Sequence, residues 1–149
     1  MGFFAYRGNS MIDASTTVIG LIGYPLGHSL SPLMHNQTIE QMGLNFVYLP
    51  FEVTPDRLRE ALAAIPALNI RGVNVTIPYK EKIIKHLDEL SSPALACGAV
   101  NLIKNEGGRL IGYNTDGQGF LASLREAGIV LPDRALFIGA GGAARAVAN

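Results

Sequence analysis

The chain has 149 residues, 48% of them apolar, with twelve basic and twelve acidic side chains and a net charge of zero. That length suits one good-sized domain, or a domain and part of a second, with apolar surface enough for a real core. The balanced charge and the lack of a Lys/Arg stripe exclude a nucleic-acid surface, no apolar run approaches a membrane span, and the one cysteine, Cys97, excludes an internal disulfide and suits a reducing, cytoplasmic compartment.

Residues 1–17 show no periodicity and carry one arginine, so they are expected to form a loosely ordered N-terminal extension rather than a signal peptide. Val18-Ile19-Gly20-Leu21-Ile22 is a continuous apolar run, as in a strand buried on both faces. It leads into Gly23-Tyr24-Pro25-Leu26-Gly27-His28-Ser29-Leu30-Ser31-Pro32, where two glycines and two prolines imply a loop of fixed shape. Ser31 is expected to cap a helix that begins at Pro32, runs to about Met42 and stops at Gly43. Ser29 and Ser31 are two apart, so an extended backbone points both hydroxyls the same way, beside free N–H groups at the positive end of a helix. That is a site for a small anion such as a carboxylate; the plainer alternative is that Ser31 only caps and Ser29 faces water. His28 and His35 lack a third ligand, so packing is expected rather than a metal.

Residues 46–51 read as a second strand, and Thr54-Pro55-Asp56 opens a second helix with Leu58, Leu62 and Ile65 on one face. Val73, Val75 and Ile77 alternate with Asn74 and Thr76, the period of a strand with two different faces. Pro78 ends it. Ile83, Ile84, Leu87 and Leu90 then recur at helical spacing, which places Lys80 at the mouth of a strand-to-helix turn, where open α/β sheets bind ligands. The alternative is a solvated lysine in the first turn of an ordinary helix. Ser91-Ser92-Pro93 is expected to end that helix.

Residues 98–103 read as a further strand containing one polar residue, Asn101, which must find hydrogen bonds from the fold or from a ligand. Asn105-Glu106-Gly107-Gly108 is a hairpin-like turn, after which residues 109–113 return antiparallel. Asn114-Thr115-Asp116-Gly117 opens a helix with Phe120, Leu121, Leu124 and Ala127 as its apolar side and Gly128 as its stop. Asp116 either caps that helix or faces Lys80 across a cleft. Pro132-Asp133-Arg134 is a turn before a last strand, 135–138. It enters Gly139-Ala140-Gly141-Gly142-Ala143-Ala144, the G-x-G-x-x-A form of the dinucleotide fingerprint, between an apolar strand and a helical start. The order of strands and helices predicts an α/β fold with a mainly parallel sheet and right-handed crossovers.

Over residues 18–149 the chain resembles the shikimate dehydrogenase family through five motifs in the family's order. These are Gly23-Tyr24-Pro25-Leu26-Gly27-His28-Ser29-Leu30-Ser31-Pro32-Leu33-Met34-His35-Asn36, Asn74-Val75-Thr76-Ile77-Pro78-Tyr79-Lys80, Gly98-Ala99-Val100-Asn101, Asn114-Thr115-Asp116-Gly117 and Gly139-Ala140-Gly141-Gly142-Ala143. The resemblance implies a three-layer α/β/α shikimate-binding domain over 18–115. It is followed over 116–149 by a linking helix and the truncated start of a Rossmann-type, NADP-binding domain. It implies NADPH-dependent, reversible reduction of 3-dehydroshikimate to shikimate in aromatic amino-acid biosynthesis. Ser29 and Ser31 would hold the substrate carboxylate, and Thr76, Asn101, Lys80 and Asp116 the ring hydroxyls. Lys80 and Asp116 would be the catalytic pair, and Gly139, Ala140, Gly141, Gly142 and Ala143 would hold the cofactor's pyrophosphate. Leu102 departs from the family, standing where threonine is common. The family also has a complete nucleotide domain and a late glutamine that closes the substrate site, so the chain alone is expected to bind substrate weakly and not to turn over. The competing expectations are a quinate/shikimate dehydrogenase using NAD, a related dehydrogenase of another pathway, and a non-catalytic substrate-binding short form. The last strand lacks its sheet and is expected to stay disordered or pair with another chain, as in a homodimer.

Overall fold

The computed structural model describes residues 12–130 and 134–148. Its frame is a six-stranded sheet in the order β2-β1-β3-β5-β6-β4. The strands are β1 (Thr17–Gly23), β2 (Phe46–Glu52), β3 (Gly72–Val75), β4 (Glu89–Leu90), β5 (Leu102–Glu106) and β6 (Arg109–Tyr113). The pairings of β1 with β2, β1 with β3 and β4 with β6 are parallel, and those of β5 with β3 and β6 are antiparallel.

The apolar run of β1 covers both faces of this sheet, as its composition demands. Leu21 packs with Ile39 of α1 (Ser31–Gln41), Leu26 and Tyr48 on one face. Ile22 packs on the other face with Leu58, Leu62 and Ile65 of α2 (Leu58–Ala67). Those three recur at helical spacing, so burying one stripe of α2 buries all of them. Helices on both faces make the three layers. Gly20 has no room for a side chain, since a Cβ there would stand 2.4 Å from the carbonyl oxygen of Leu49.

Several expectations are corrected. The apolar spacing after Lys80 does not make an α-helix: residues 80–83 turn, Ile84–His86 is one 3-10 turn, and the chain then enters β4. The backbone donors of Asp88 and Ser91 go to the sheet, to Leu110 O and Gly112 O, and so are not available for i−4 carbonyls. Ser91 starts a helix rather than ending one. Its Oγ accepts from Ala94 N–H and caps α3 (Ser92–Cys97), a short helix that the sequence pattern does not reveal.

Residues 98–101 are not strand. Gly98, with φ of +61°, closes α3, and the next donors scatter to separate segments: Val100 N–H to Lys80 O and Asn101 N–H to Tyr113 O. Residues 135–138 form no strand and pair with none among the described residues; Leu136 and Ile138 lie 88% and 95% exposed. The preceding turn at Pro132 and Asp133 lies outside the described residues, as do residues 1–11.

The helix expected from Asp116 is α4 (Asp116–Glu126), and Gly128 follows it at φ +70°. Its expected apolar side is not buried; Phe120 is exposed. The helix of the fingerprint is α5 (Gly142–Ala148). At the other end of the chain, Thr17 already belongs to β1. Asp13 accepts from the backbone and hydroxyl of Ser15, and Asn45 Nδ2 donates to Ser15 Oγ, so residues 13–16 are tied down rather than loose.

Candidate active site

Strands β1 and β3 run parallel and adjacent, so the loops that leave them emerge together at one edge of the sheet. They are laced by Thr76 N–H to Ile22 O at 3.0 Å and Tyr24 N–H to Ile77 O at 3.0 Å. A Cβ on Gly23 would meet Thr76 Cγ2 at 2.4 Å, so the serine-bearing loop rests directly on Thr76 only because residue 23 is glycine. Leu26 is buried at the root of that loop, and its N–H donates to the Glu52 carboxylate at 2.6 Å.

Within the loop, Ser29 Oγ accepts from Ser31 N–H at 3.3 Å. The expected cap is therefore shifted: Leu30 occupies the N-cap position, Ser31 is already inside α1, and no side chain caps the helix. The expected cap is corrected for this physical reason: a helix that begins one residue earlier removes the N–H geometry that Ser31 would have served.

Lys80 is fixed from both sides. Tyr79 is fully buried and donates its hydroxyl to Val53 O at 2.5 Å, while Lys80 O accepts from Val100 N–H at 2.7 Å. Burial raises the Tyr79 phenol above its ordinary pKa, with Asp56 and Tyr24 adding to the effect. The ammonium of Lys80 then reaches Asp116 Oδ2 at 2.5 Å, each side chain being 24% exposed. A pair so placed is partly shielded from solvent yet still open to a ligand.

Asp116 does not cap α4. Its N–H is taken by Asn114 Oδ1 at 3.0 Å, and Asn114, itself buried, anchors to Ala99 O at 3.0 Å. Both carboxylate oxygens of Asp116 instead face inward: Oδ2 accepts from Lys80 and Oδ1 from Asn101 Nδ2 at 2.7 Å. The fold thus supplies the partners that Asn101 needs. Its side chain also exchanges hydrogen bonds with Thr115, donating to Oγ1 at 2.9 Å and accepting from N–H at 3.0 Å. Sequence reasoning assigns Asn114 and Thr115 to a motif but gives them no part in the site. The signal that could have found Asn114 is an Asx residue two positions before a helix start.

A cleft of about 760 Å³ opens beside Lys80. Thr76, Pro78, Lys80 and Lys82 line one wall, and Gly139, Gly141, Gly142 and Ala143 the other. Ser29 and Ser31 stand outside those walls, on the loop after the neighbouring strand. Lys80, Asp116 and Asn101 are therefore joined by direct hydrogen bonds, Thr76 shares the cleft with Lys80, and the two serines approach through the loop packed on Thr76. His35 stacks on Tyr48, with ring centroids 4.3 Å apart, on the α1 face of the sheet.

Residues 21–103 match the family described as the shikimate dehydrogenase substrate binding domain. The chain is 64% identical over 137 residues to a protein of Syntrophomonas wolfei named shikimate dehydrogenase (NADP(+)), an overlap of 92% of this chain and 47% of that one. It is similar in structure to a shikimate dehydrogenase solved in complex with NADP+, with a TM-score of 0.87 and 53% identity over 93% of this chain and 49% of the other. It is also similar to the Thermus thermophilus shikimate 5-dehydrogenase solved with shikimate, with a TM-score of 0.86 and 43% identity over 89% and 51% of the two chains. The chain spans about half the length of the curated relatives it matches.

Proposed function

The chain belongs to the shikimate dehydrogenase substrate-binding family, and on that premise we propose that its cleft binds shikimate and 3-dehydroshikimate for NADP-dependent interconversion. In this reading residues 18–115 form the substrate domain, and residues 116–149 carry the linking helix and the first part of the dinucleotide site. The observation that carries the reading is the contact of Lys80 with Asp116 at 2.5 Å, beside a cleft whose far wall is the glycine-rich loop.

The residues divide the work by their chemistry. Ser29 and Ser31 offer their hydroxyl donors to the substrate carboxylate. Asp116 accepts from a ring hydroxyl, and Asn101 holds its carboxylate in that direction. Lys80 donates its proton to the carbonyl oxygen as negative charge develops there, and takes a proton back in the reverse direction. Thr76 completes the polar wall. The dinucleotide supplies hydride at carbon when bound. The loop fits such a group: Gly139 adopts φ +109°, and neither Gly139 nor Gly141 has an atom within 4 Å of where a Cβ would project, so the backbone is bare there. Gly139, Ala140, Gly141, Gly142 and Ala143 would hold the pyrophosphate. The lone buried thiol, Cys97, suits the reducing cytoplasm as the place of work.

Calorimetric titration with shikimate tests this reading. Lys80→Ala and Asp116→Asn are each expected to weaken binding at least about tenfold, the effect of removing one charged hydrogen bond, and to abolish any shikimate-dependent reduction of NADP+. Affinity for shikimate that is the same in wild type and both variants would sink the reading.

A further inference from the structure

Arg145 follows the glycine-rich loop in sequence, and its side chain turns back across the end of α3. Nε donates to Cys97 O at 2.8 Å and Nη2 to Gly98 O at 3.5 Å, the carbonyls that α3 leaves exposed at its end. Nη1 donates to Ala140 O at 3.0 Å, inside the glycine-rich loop. Nη2 also pairs with Glu81 Oε1 at 2.9 Å, and Glu81 is the residue next to Lys80. One planar guanidinium thus holds acceptors from three separate segments in fixed directions, which a lysine ammonium on its flexible stem cannot do.

The apolar surroundings point the same way. Ala146 is packed with Cys97 and Ala99, and a Cβ on Gly142 would stand 2.8 Å from that of Ala99. Helix α5 is therefore seated on the end of α3, and Arg145 adds the polar part of that seat. Its contacts with Ala140 O and Glu81 tie the two walls of the cleft to the same point.

We propose that Arg145 is a positioning residue that couples the two halves of the site. It fixes the glycine-rich loop relative to Lys80, so that a pyrophosphate on the loop and a hydroxylated ring acid at Lys80 and Asp116 each favour the other's binding. The inference rests on the functional reading above. The physical reason is linkage through a shared element: whichever ligand arrives first further restrains the clamp, and the second then has less ordering to supply.

The test is calorimetry on the whole chain with NADP+ alone, shikimate alone, and each at saturation of the other. In the wild type each ligand is expected to tighten the other about fivefold or more, within the usual range of coupling between sites. Arg145→Ala is expected to keep the affinity for shikimate alone within about twofold and to bring the coupling factor to about one, since a coupling of this size is only the differential interaction that the clamp provides. Undiminished coupling in Arg145→Ala, or equal weakening of both ligands when each is alone, overturns the inference. If Arg145→Ala does not fold, Glu81→Gln decides: it spares the carbonyl bonds, and reduced coupling supports the inference while unchanged coupling overturns it. A wild-type chain that binds neither ligand sinks the functional reading instead. Amide exchange of the ligand-free chain then judges the clamp alone, where faster exchange at 139–142 in Arg145→Ala supports it and equal exchange overturns it.

Discussion

Lys80 and Asp116 meet across 36 positions of chain because each is held by its neighbours rather than by its own pair. Tyr79 pins the lysine's backbone, and Asn114 holds the Asp116 N–H while the carboxylate turns to Lys80 and Asn101. The residue identities were readable in the motifs; the division of labour between Asn114 and Asp116 was not, because both are capping types and lie two apart. Tyr48 shows a similar local effect with a measurable consequence. It is buried at 2% exposure and donates to Asn74 Oδ1 at 2.9 Å, and burial pushes its phenol up to about 12 from the ordinary 10. The folded chain therefore retains a proton that the unfolded chain releases. The sign follows: this stability is fully present below pH 10 and is lost as the pH rises to about 12. The loss is on the order of 3 kcal/mol, two units at roughly 1.4 kcal/mol each. Urea midpoints measured across that window are expected to fall in the wild type and to fall less in Tyr48→Phe. Parallel curves for the two would refute this account.

At the scale of elements, the helices whose donors stay at home match their periodicity, as α1 and α2 do. The stretch from residue 81 to 101 does not, because the donors of Asp88, Ser91 and Asn101 are spent on β6 and that of Val100 on Lys80 O. The junction of α4 and α5 shows how one position can set the angle between two helices. A Cβ on Gly117 would stand 2.2 Å from Ala146 O, a backbone atom that cannot swing aside, whereas nothing lies within 4 Å of one on Gly119. Gly117→Val is expected to cost about 1–3 kcal/mol through overpacking. Gly119→Ala, two positions along the same helix, is expected to gain roughly 0.5–1 kcal/mol through helix propensity. Urea denaturation of the two variants checks the contrast, and a neutral Gly117→Val would show that α5 does not sit against α4.

At the scale of the molecule, the sheet is closed on one side by α1 and on the other by α2 and α3, while residues 135–138 carry apolar side chains outward. Exposed apolar residues of this kind tend to pair with another chain. Sedimentation velocity is expected to show association that grows with concentration in the wild type and disappears in the double variant Leu136→Ser, Ile138→Ser. A wild type that stays monomeric throughout the accessible range would count against it. A homodimer is the simplest form of that association.

The amino-acid pattern on its own determined the α/β order, the stripe of Leu58, Leu62 and Ile65, and the hairpin at 105–108. Those features depend on neighbours a few residues apart, and periodicity records such neighbours directly. Tertiary structure decided which backbone donors go where between 81 and 101, the start of α1 at Ser31 rather than after it, and the turn of Asp116 away from its helix toward Lys80. It also decided the reach of Arg145 to the end of α3. Each of these is settled by an acceptor distant in the chain, and a hydrogen bond is blind to sequence separation once the fold has brought its two groups within about 3 Å.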